Sequence, residues 1–398
     1  MLDQLSFNAT NFALNVLLVS AVGFSGLGLF ALLVSISAGI QSLLIGVFLE
    51  PITIFGAGKE GSRYRYAGII YNSLFSLNGI VLVILVSPFV LAGQQNFVLL
   101  ASAVVVHSMG YSALGVSRRL FYLRNQSKQA FFLSCAYSLL ALLLVIVLRT
   151  YDQYSALSAL CVMGSASSIV GLVHWAGFDR LSGSAIRCSG KVMAETIRYR
   201  KWSAAAVLPG VVSTQSVYWF GSIFANLEAI GVLRLILQFG APIVQFVTSL
   251  NHFELVKISR KFSEISVAEF SREIAGLRRF YLTVGGIYLL IVFPAAVFGL
   301  QYFSNFQVQI AFLVLIVFAA VFIQVNNISR NIAAKASRNS RAVFWSQVFA
   351  SIGIAIAAPL SIWIGVWGLA IAMIVGAGAY AVTIHTLIQS ALHETKVS

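Results

Sequence analysis

Apolar residues run along this chain in stretches of about twenty, the length a membrane-crossing helix needs. The stretches fall at about 3–22, 27–55, 67–92, 97–117, 129–149, 155–177, 203–226, 229–252, 281–300, 305–327, 343–363 and 366–388. This pattern predicts about twelve helices. The breaks between them alternate in character. One set is short and nearly uncharged: Gly23–Gly26, Gly93–Asn96, Thr150–Tyr154, Leu227–Glu228, Gln301–Ser304 and Ile364–Gly365. The other set is longer and basic.

Composition agrees with the pattern. Of 398 residues, 59% are hydrophobic and 10% charged, where a soluble domain carries about 25% charged residues. No soluble core of this length hides so much apolar surface. The reading is an all-α integral membrane protein. The net charge of +14 would point to nucleic acid in a soluble chain, but cytoplasmic loops of membrane proteins collect Lys and Arg, so no nucleic-acid partner is expected. The three cysteines, Cys135, Cys161 and Cys188, form neither a disulfide framework nor a metal-binding spacing. The opening MLDQLSFNATNFALNVLL lacks a positive n-region and a small-residue cleavage site, so no cleavable signal peptide is expected.

The basic breaks set the expected orientation. They hold Lys59, Arg63 and Arg65; Arg118, Arg119, Arg124 and Lys128; Arg180, Arg187, Lys191, Arg198, Arg200 and Lys201; Lys257, Arg260, Lys261, Arg272, Arg278 and Arg279; and Arg330, Lys335, Arg338 and Arg341. With Lys396 these make 24 of the 26 Lys and Arg. The asymmetry puts all five loops and both termini in the cytoplasm. Arg149, at the outer end of its span, reads as a snorkelling side chain. Arg234 lies several residues inside the eighth span, where a cation is costly unless it faces water or a partner.

Six spans, a basic linker and six more spans invite a search for duplication. At an offset of 203, FNATNFALNVLLVSAVGFSGLGLFALLVSIS from Phe7 falls on GVVSTQSVYWFGSIFANLEAIGVLRLILQFG from Gly210, and Gly28 lands on Gly231. At an offset of 213, NQSKQAFF from Asn125 falls on RNSRAVFW from Arg338, matching Lys128 with Arg341. The expected domains are therefore an N-terminal six-helix bundle over 1–177, a basic cytoplasmic linker over 178–202 and a C-terminal six-helix bundle over 203–398. Six is even, so the copies share an orientation and are related by an axis along the membrane normal.

Two polar stripes lie inside the membrane. Gln4, Asn8, Asn11 and Asn15 occupy one face of the first span, and Arg234, Gln238, Gln245 and His252 one face of the eighth, flanked by Thr248 and Ser249. Single Asn or Gln residues in a span act mainly as hydrogen-bond glue between helices; two whole stripes, one with an arginine, predict a water-accessible cavity. Pro242 threatens to kink the eighth span near its stripe. At the 203-residue offset Asn11 and Asn15 correspond to Thr214 and Tyr218, while Arg234, Gln238, Gln245 and His252 correspond to Ala31, Ser35, Ser42 and Leu49. One half supplies polarity from its first helix and the other from its second. The predicted substrate-binding residues are Arg234, Gln238, Gln245, Asn8, Asn11, Asn15, Thr214 and Tyr218, suited to an anionic, partly sugar-like ligand.

Other polar residues read as structural. Glu50 and Glu254 pair with loop cations, and His107, His174 and His385 are core histidines. The stretch Phe253–Phe280 alternates apolar and charged residues as an amphipathic helix on the inner surface. No G-x-x-x-x-G-K-[ST] loop and no metal-spaced His/Cys group occurs. No catalytic residue, metal or cofactor is expected.

TNFALNVLLVSAVGFSGLGLFALLV resembles the first helical hairpin of polysaccharide flippases in the multidrug/oligosaccharidyl-lipid/polysaccharide exporter (MOP) superfamily. NLEAIGVLRLILQFGAPIVQFVTSL resembles the matching hairpin of their second half, and SRRLFYLRNQSKQA their loop between spans four and five. The resemblance implies two six-helix lobes in a V around a central cavity. It implies a substrate of polyprenyl-diphosphate-linked oligosaccharide, moved across the bacterial inner membrane by rocking of the lobes, with membrane lipid, a polysaccharide polymerase and a chain-length regulator as candidate partners. The chain lacks the several cavity arginines of lipid-II flippases, which counts against a peptidoglycan precursor. The alternatives are an ion-coupled exporter of drugs or small metabolites and a membrane-embedded glycan polymerase.

Overall fold

The computed structural model describes residues 2–44, 95–123, 126–176, 205–261, 266–303, 309–337 and 339–397. Its elements are helices: α1 (Leu2–Leu44), α2 (Gln95–Leu123), α3 (Ser127–Thr150), α4 (Ala156–Ala176), α5 (205–224), α6 (Leu227–Lys261), α7 (Val267–Phe303), α8 (Ile310–Ala336), α9 (Ser340–Ala357) and α10 (Val366–Val397). A 3-10 turn (Ala358–Leu360) and a short helix (Ser361–Ile364) link α9 to α10. No strand occurs among the described residues. Eight of these helices are long and apolar enough to cross a membrane. The predicted third span, the basic linker and the first basic loop lie outside the described residues.

The uncharged breaks are tight. Spans one and two are two arms of α1, divided by the single residue Gly23 at φ 68, ψ −172, backbone that a side chain rarely tolerates. The predicted break at Leu227–Glu228 falls two residues earlier, at Ala225 and Asn226, because the Asn226 carboxamide accepts from the Ala229 amide (2.7 Å) and starts α6. Gly365, at φ 56, makes the last turn.

The surface helix predicted over 253–280 is absent as a separate element. Its first part extends α6 to Lys261 and its last part begins α7 at Val267. A capping box explains the start: the Ser266 amide donates to Glu269 Oε2 (3.0 Å) and the Glu269 amide donates to Ser266 Oγ (3.3 Å). With no proline before Pro294, α7 then runs unbroken into the membrane. Pro242 does not interrupt α6. The Tyr288 hydroxyl of α7 donates to the Phe239 carbonyl (2.9 Å), one turn before that proline.

Helices α1 to α4 pack on one another, closest between α2 and α4, where Gly110 and Gly164 let the backbones touch. Helices α6 to α10 pack on one another in the second half. The halves meet where α1 crosses α6 and α5. The arm of α1 before Gly23 runs antiparallel to α6, with Phe12 against Phe239 (ring centroids 5.0 Å apart). The arm after Gly23 runs antiparallel to α5, where Trp219 Nε1 donates to Ser35 Oγ (2.9 Å). Large apolar side chains face outward in rows, such as Phe132, Leu139, Leu143 and Ile146 on α3 and Ile287, Leu290, Ile291 and Phe298 on α7. In water such surface would aggregate; against lipid it is the expected face.

Candidate functional site at the meeting of the two halves

Arg234 projects two turns into α6. Its Nη1 lies 3.5 Å from the Tyr218 hydroxyl of α5, and its guanidinium carbon is 5.9 Å from the centre of that ring. With the Gln238 carboxamide turned so that its carbonyl faces the arginine, Oε1 accepts from Nε (3.1 Å) and Nη2 (3.2 Å). Gln238 and Tyr218 are buried, and Arg234 is half-buried. Both partners are neutral, so the arginine is held in place without its charge being cancelled. Such a guanidinium keeps donors and charge available for an anion.

A second polar cluster lies in the first half. Tyr111 of α2 donates to Asn11 Oδ1 (3.0 Å), and Tyr137 of α3 reaches the same oxygen (3.4 Å). Phe7 packs on both tyrosines, and His107 stacks on Tyr111 with ring centroids 4.5 Å apart. His107 Nδ1 lies 2.7 Å from Ser37 Oγ, which also accepts from the Gln41 carboxamide (3.1 Å).

The predicted residues divide into groups. Arg234, Gln238 and Tyr218 form one cluster, and Thr214, exposed, lines a cavity together with Tyr218. Asn11 belongs to the tyrosine cluster. Asn15 is fully buried and donates to the Asn11 carbonyl, while its own Oδ1 has no partner. Asn8 is half-buried and Gln245 exposed; neither side chain bonds to the arginine or tyrosine cluster. The side chains of Gln4 and His252 lie outside what is described.

No family model matches this chain, and no curated protein matches it in sequence. Solved structures do match in shape. One is the inward-facing conformation of a multidrug resistance MATE family transporter of the MOP superfamily, with a TM-score of 0.75 and 11% identity over 98% of this chain and 96% of that one. An outward-facing conformation of such a transporter gives a TM-score of 0.69 and 10% identity over 99% and 94%. A MOP superfamily transporter from Pyrococcus furiosus gives 0.66 and 13% over 99% and 94%. The fold is the MATE fold.

Sequence reasoning missed part of what this MATE fold assembles. His107, read as a satisfied core histidine, is buried and bonded at Nδ1, but its Nε2 has no partner. In the second half a cavity of about 300 Å³ opens between α5, α6, α8, α9 and α10. Gln324, Asn327 and Asn331 line it from α8 and Gln347 from α9. The spacing of 3 and 4 along α8 is as clear a one-face stripe as those on the first and eighth spans.

Proposed function

We propose that this chain is a membrane transporter that flips polyprenyl-diphosphate-linked oligosaccharide units across the bacterial inner membrane for surface polysaccharide biosynthesis. The observation that carries the reading is Arg234. A fixed cation between neutral partners, at the interface of the two halves, suits a diphosphate or an acidic sugar. A cationic drug would meet electrostatic repulsion there. The carboxamides and hydroxyls around it suit sugar hydroxyls.

In this reading residues 1–177 and 203–398 act as two lobes joined by the linker 178–202, with both termini cytoplasmic. The crossing of α1 and α6 beside Gly23 and Asn226 then lies at the outer end, and the site opens inward. Rocking of the lobes about their contact would expose the site to each side in turn. Lipid-linked oligosaccharide and membrane lipid are its molecular partners, with a polymerase and a chain-length regulator acting on the same glycan.

A second reading, export of drugs or small metabolites, is favoured by the multidrug resistance transporters among the structural neighbours. Proteoliposomes separate the two. The flippase reading expects inward-to-outward movement of a sugar-bearing polyprenyl diphosphate that falls severely in Arg234→Ala, with no transport of a cationic dye. Dye transport that rises in Arg234→Ala would overturn it.

A further inference from the structure

The cavity in the second half is the counterpart of a region that is solid in the first. The 213-residue offset that matches Lys128 with Arg341 also matches His107 with Ala320, Tyr111 with Gln324, Ser134 with Gln347 and Tyr137 with Ala350. The 203-residue offset matches Phe7 with Gly210 and Asn11 with Thr214. In the first half, Phe7, His107, Tyr111 and Tyr137 fill the space between α1, α2 and α3 with mutually packed rings. In the second half three of these positions, Ala320, Gln324 and Ala350, line an open cavity, while the fourth, Gly210, is covered by the Gln347 carboxamide. The loss of two tyrosine rings and one imidazole leaves room for the cavity.

The polar bookkeeping of the two regions also differs. The tyrosine hydroxyls of the first half bond to Asn11 and to each other. In the second half Asn327 Oδ1, Asn331 Oδ1 and Gln347 Oε1 are all buried without a partner, and all three residues line the cavity. Asn327 is only 7% exposed and is held by its own Nδ2, which donates to the Ala377 carbonyl (3.0 Å). Buried carbonyl oxygens left without donors are unfavourable unless something else supplies them. No Asp, Glu, Lys, Arg or His lines the cavity among the described residues, and its amide acceptors suit an uncharged group that carries hydroxyl donors. The volume, about 300 Å³, is at the small end of ligand pockets and suits one ring. Tyr218 lines the cavity and also meets Arg234, so an occupant would adjoin the anion held by the arginine.

We propose that this cavity is a subsite for one uncharged sugar ring, and that the first half carries no equivalent because its own aromatic side chains occupy the space. The assignment rests on the flippase reading for the identity of the linked anion. In a lipid-linked oligosaccharide the diphosphate then sits at Arg234 and the sugar next to it enters between α5, α8 and α9. The substrate is thereby held asymmetrically, sugar toward the second lobe.

The test uses the full chain in lipid nanodiscs, free of sugar detergents, with farnesyl diphosphate and farnesyl-diphospho-galactose as probes. The expected result is binding of the galactose conjugate about tenfold tighter than farnesyl diphosphate, the worth of one or two net hydrogen bonds. Ala320→Phe and Ala350→Tyr, which rebuild the plug of the first half, should abolish that difference and leave farnesyl diphosphate affinity unchanged. Asn331→Leu adds little volume and removes an unpartnered carbonyl, so it should abolish the difference while melting at or above the wild-type temperature. Equal affinity of the wild type for both probes overturns the subsite, as does a tenfold difference that survives Asn331→Leu. Failure of the wild type to bind either probe would instead overturn the flippase reading.

Discussion

Gly28 and Gly231 lie against each other where the two halves cross. A Cβ on Gly28 would run into the Leu227 carbonyl, and a Cβ on Gly231 into the Phe24 carbonyl. At the 203-residue offset Gly28 corresponds to Gly231 and Phe24 to Leu227. The two contacts are therefore one contact repeated about a local two-fold axis, the geometry expected of parallel repeats related by an axis along the membrane normal. Absence of a Cβ at both positions brings backbone against backbone with nothing between.

That contact should control which side of the protein is open. Gly28→Val or Gly231→Val forces the crossing apart at an overpacking cost of about 1–3 kcal/mol, enough to shift a two-state equilibrium by about 5- to 150-fold. In cells the expected outcome is increased labelling of a cysteine placed at Thr214 by an impermeant thiol reagent added outside, with the native cysteines replaced. Surface glycan should fall while membrane abundance holds. Unchanged labelling in both variants would remove the crossing from the gating account.

The orientation is open to a direct test. Cysteines in place of Lys128, Lys261 or Arg341 should react with an impermeant thiol reagent only after cells are opened. Cysteines in place of Gln153, Glu228 or Trp363 should react in intact cells. Labelling of Lys261→Cys in intact cells would reverse the assignment of sides, and with it the inward-open state.

Much of the fold was legible because lipid imposes a length on every span and loops carry the charge. The match of Gly28 with Gly231 was visible in the sequence and is a contact in the structure. The turn chemistry was less visible: Asn226 caps α6, so the break precedes Leu227. The segment 253–280 differs from the expectation because an amphipathic pattern also fits the ends of two long helices, as in α6 and α7. At the site, spacing brought out Arg234 and Gln238, which lie one turn apart on one face. It carried no information on Tyr111 and Tyr137, whose hydroxyls converge on Asn11 only through packing of α1, α2 and α3. Polar residues that meet through tertiary packing leave no period to read.

Asn226 offers a stability test independent of transport. Its carboxamide satisfies the first turn of α6 just before the Gly231 crossing. Asn226→Ala should destabilise by about 1 kcal/mol, while Asn226→Asp or Asn226→Ser keeps the cap and the stability. The measurement is the midpoint of thermal unfolding in one detergent for all variants. Equal loss in all three would mean that the side chain acts through something other than the cap.

Gln238 separates anion binding from cation handling at the central site. Its carbonyl oxygen stands 3.1 and 3.2 Å from two nitrogens of Arg234, so Gln238→Glu would place a carboxylate there with almost no change of shape. The new pair is a close salt bridge in a half-buried setting, and it cancels the charge offered to a diphosphate. If Arg234 serves an anion, Gln238→Glu should depress surface glycan as severely as Arg234→Ala, at normal membrane abundance. Arg234→Lys should restore activity only in part, because an ammonium keeps the charge and loses the forked donors. Gln238→Leu should be milder than Gln238→Glu, since it removes a positioning bond without neutralising the cation. Tyr218→Phe should be milder still, because the hydroxyl is at the long limit of a hydrogen bond, 3.5 Å from Nη1. The ordering is the discriminating result. If Gln238→Glu transports as well as wild type, the charge of Arg234 has no part in substrate recognition and the central anion site is wrong.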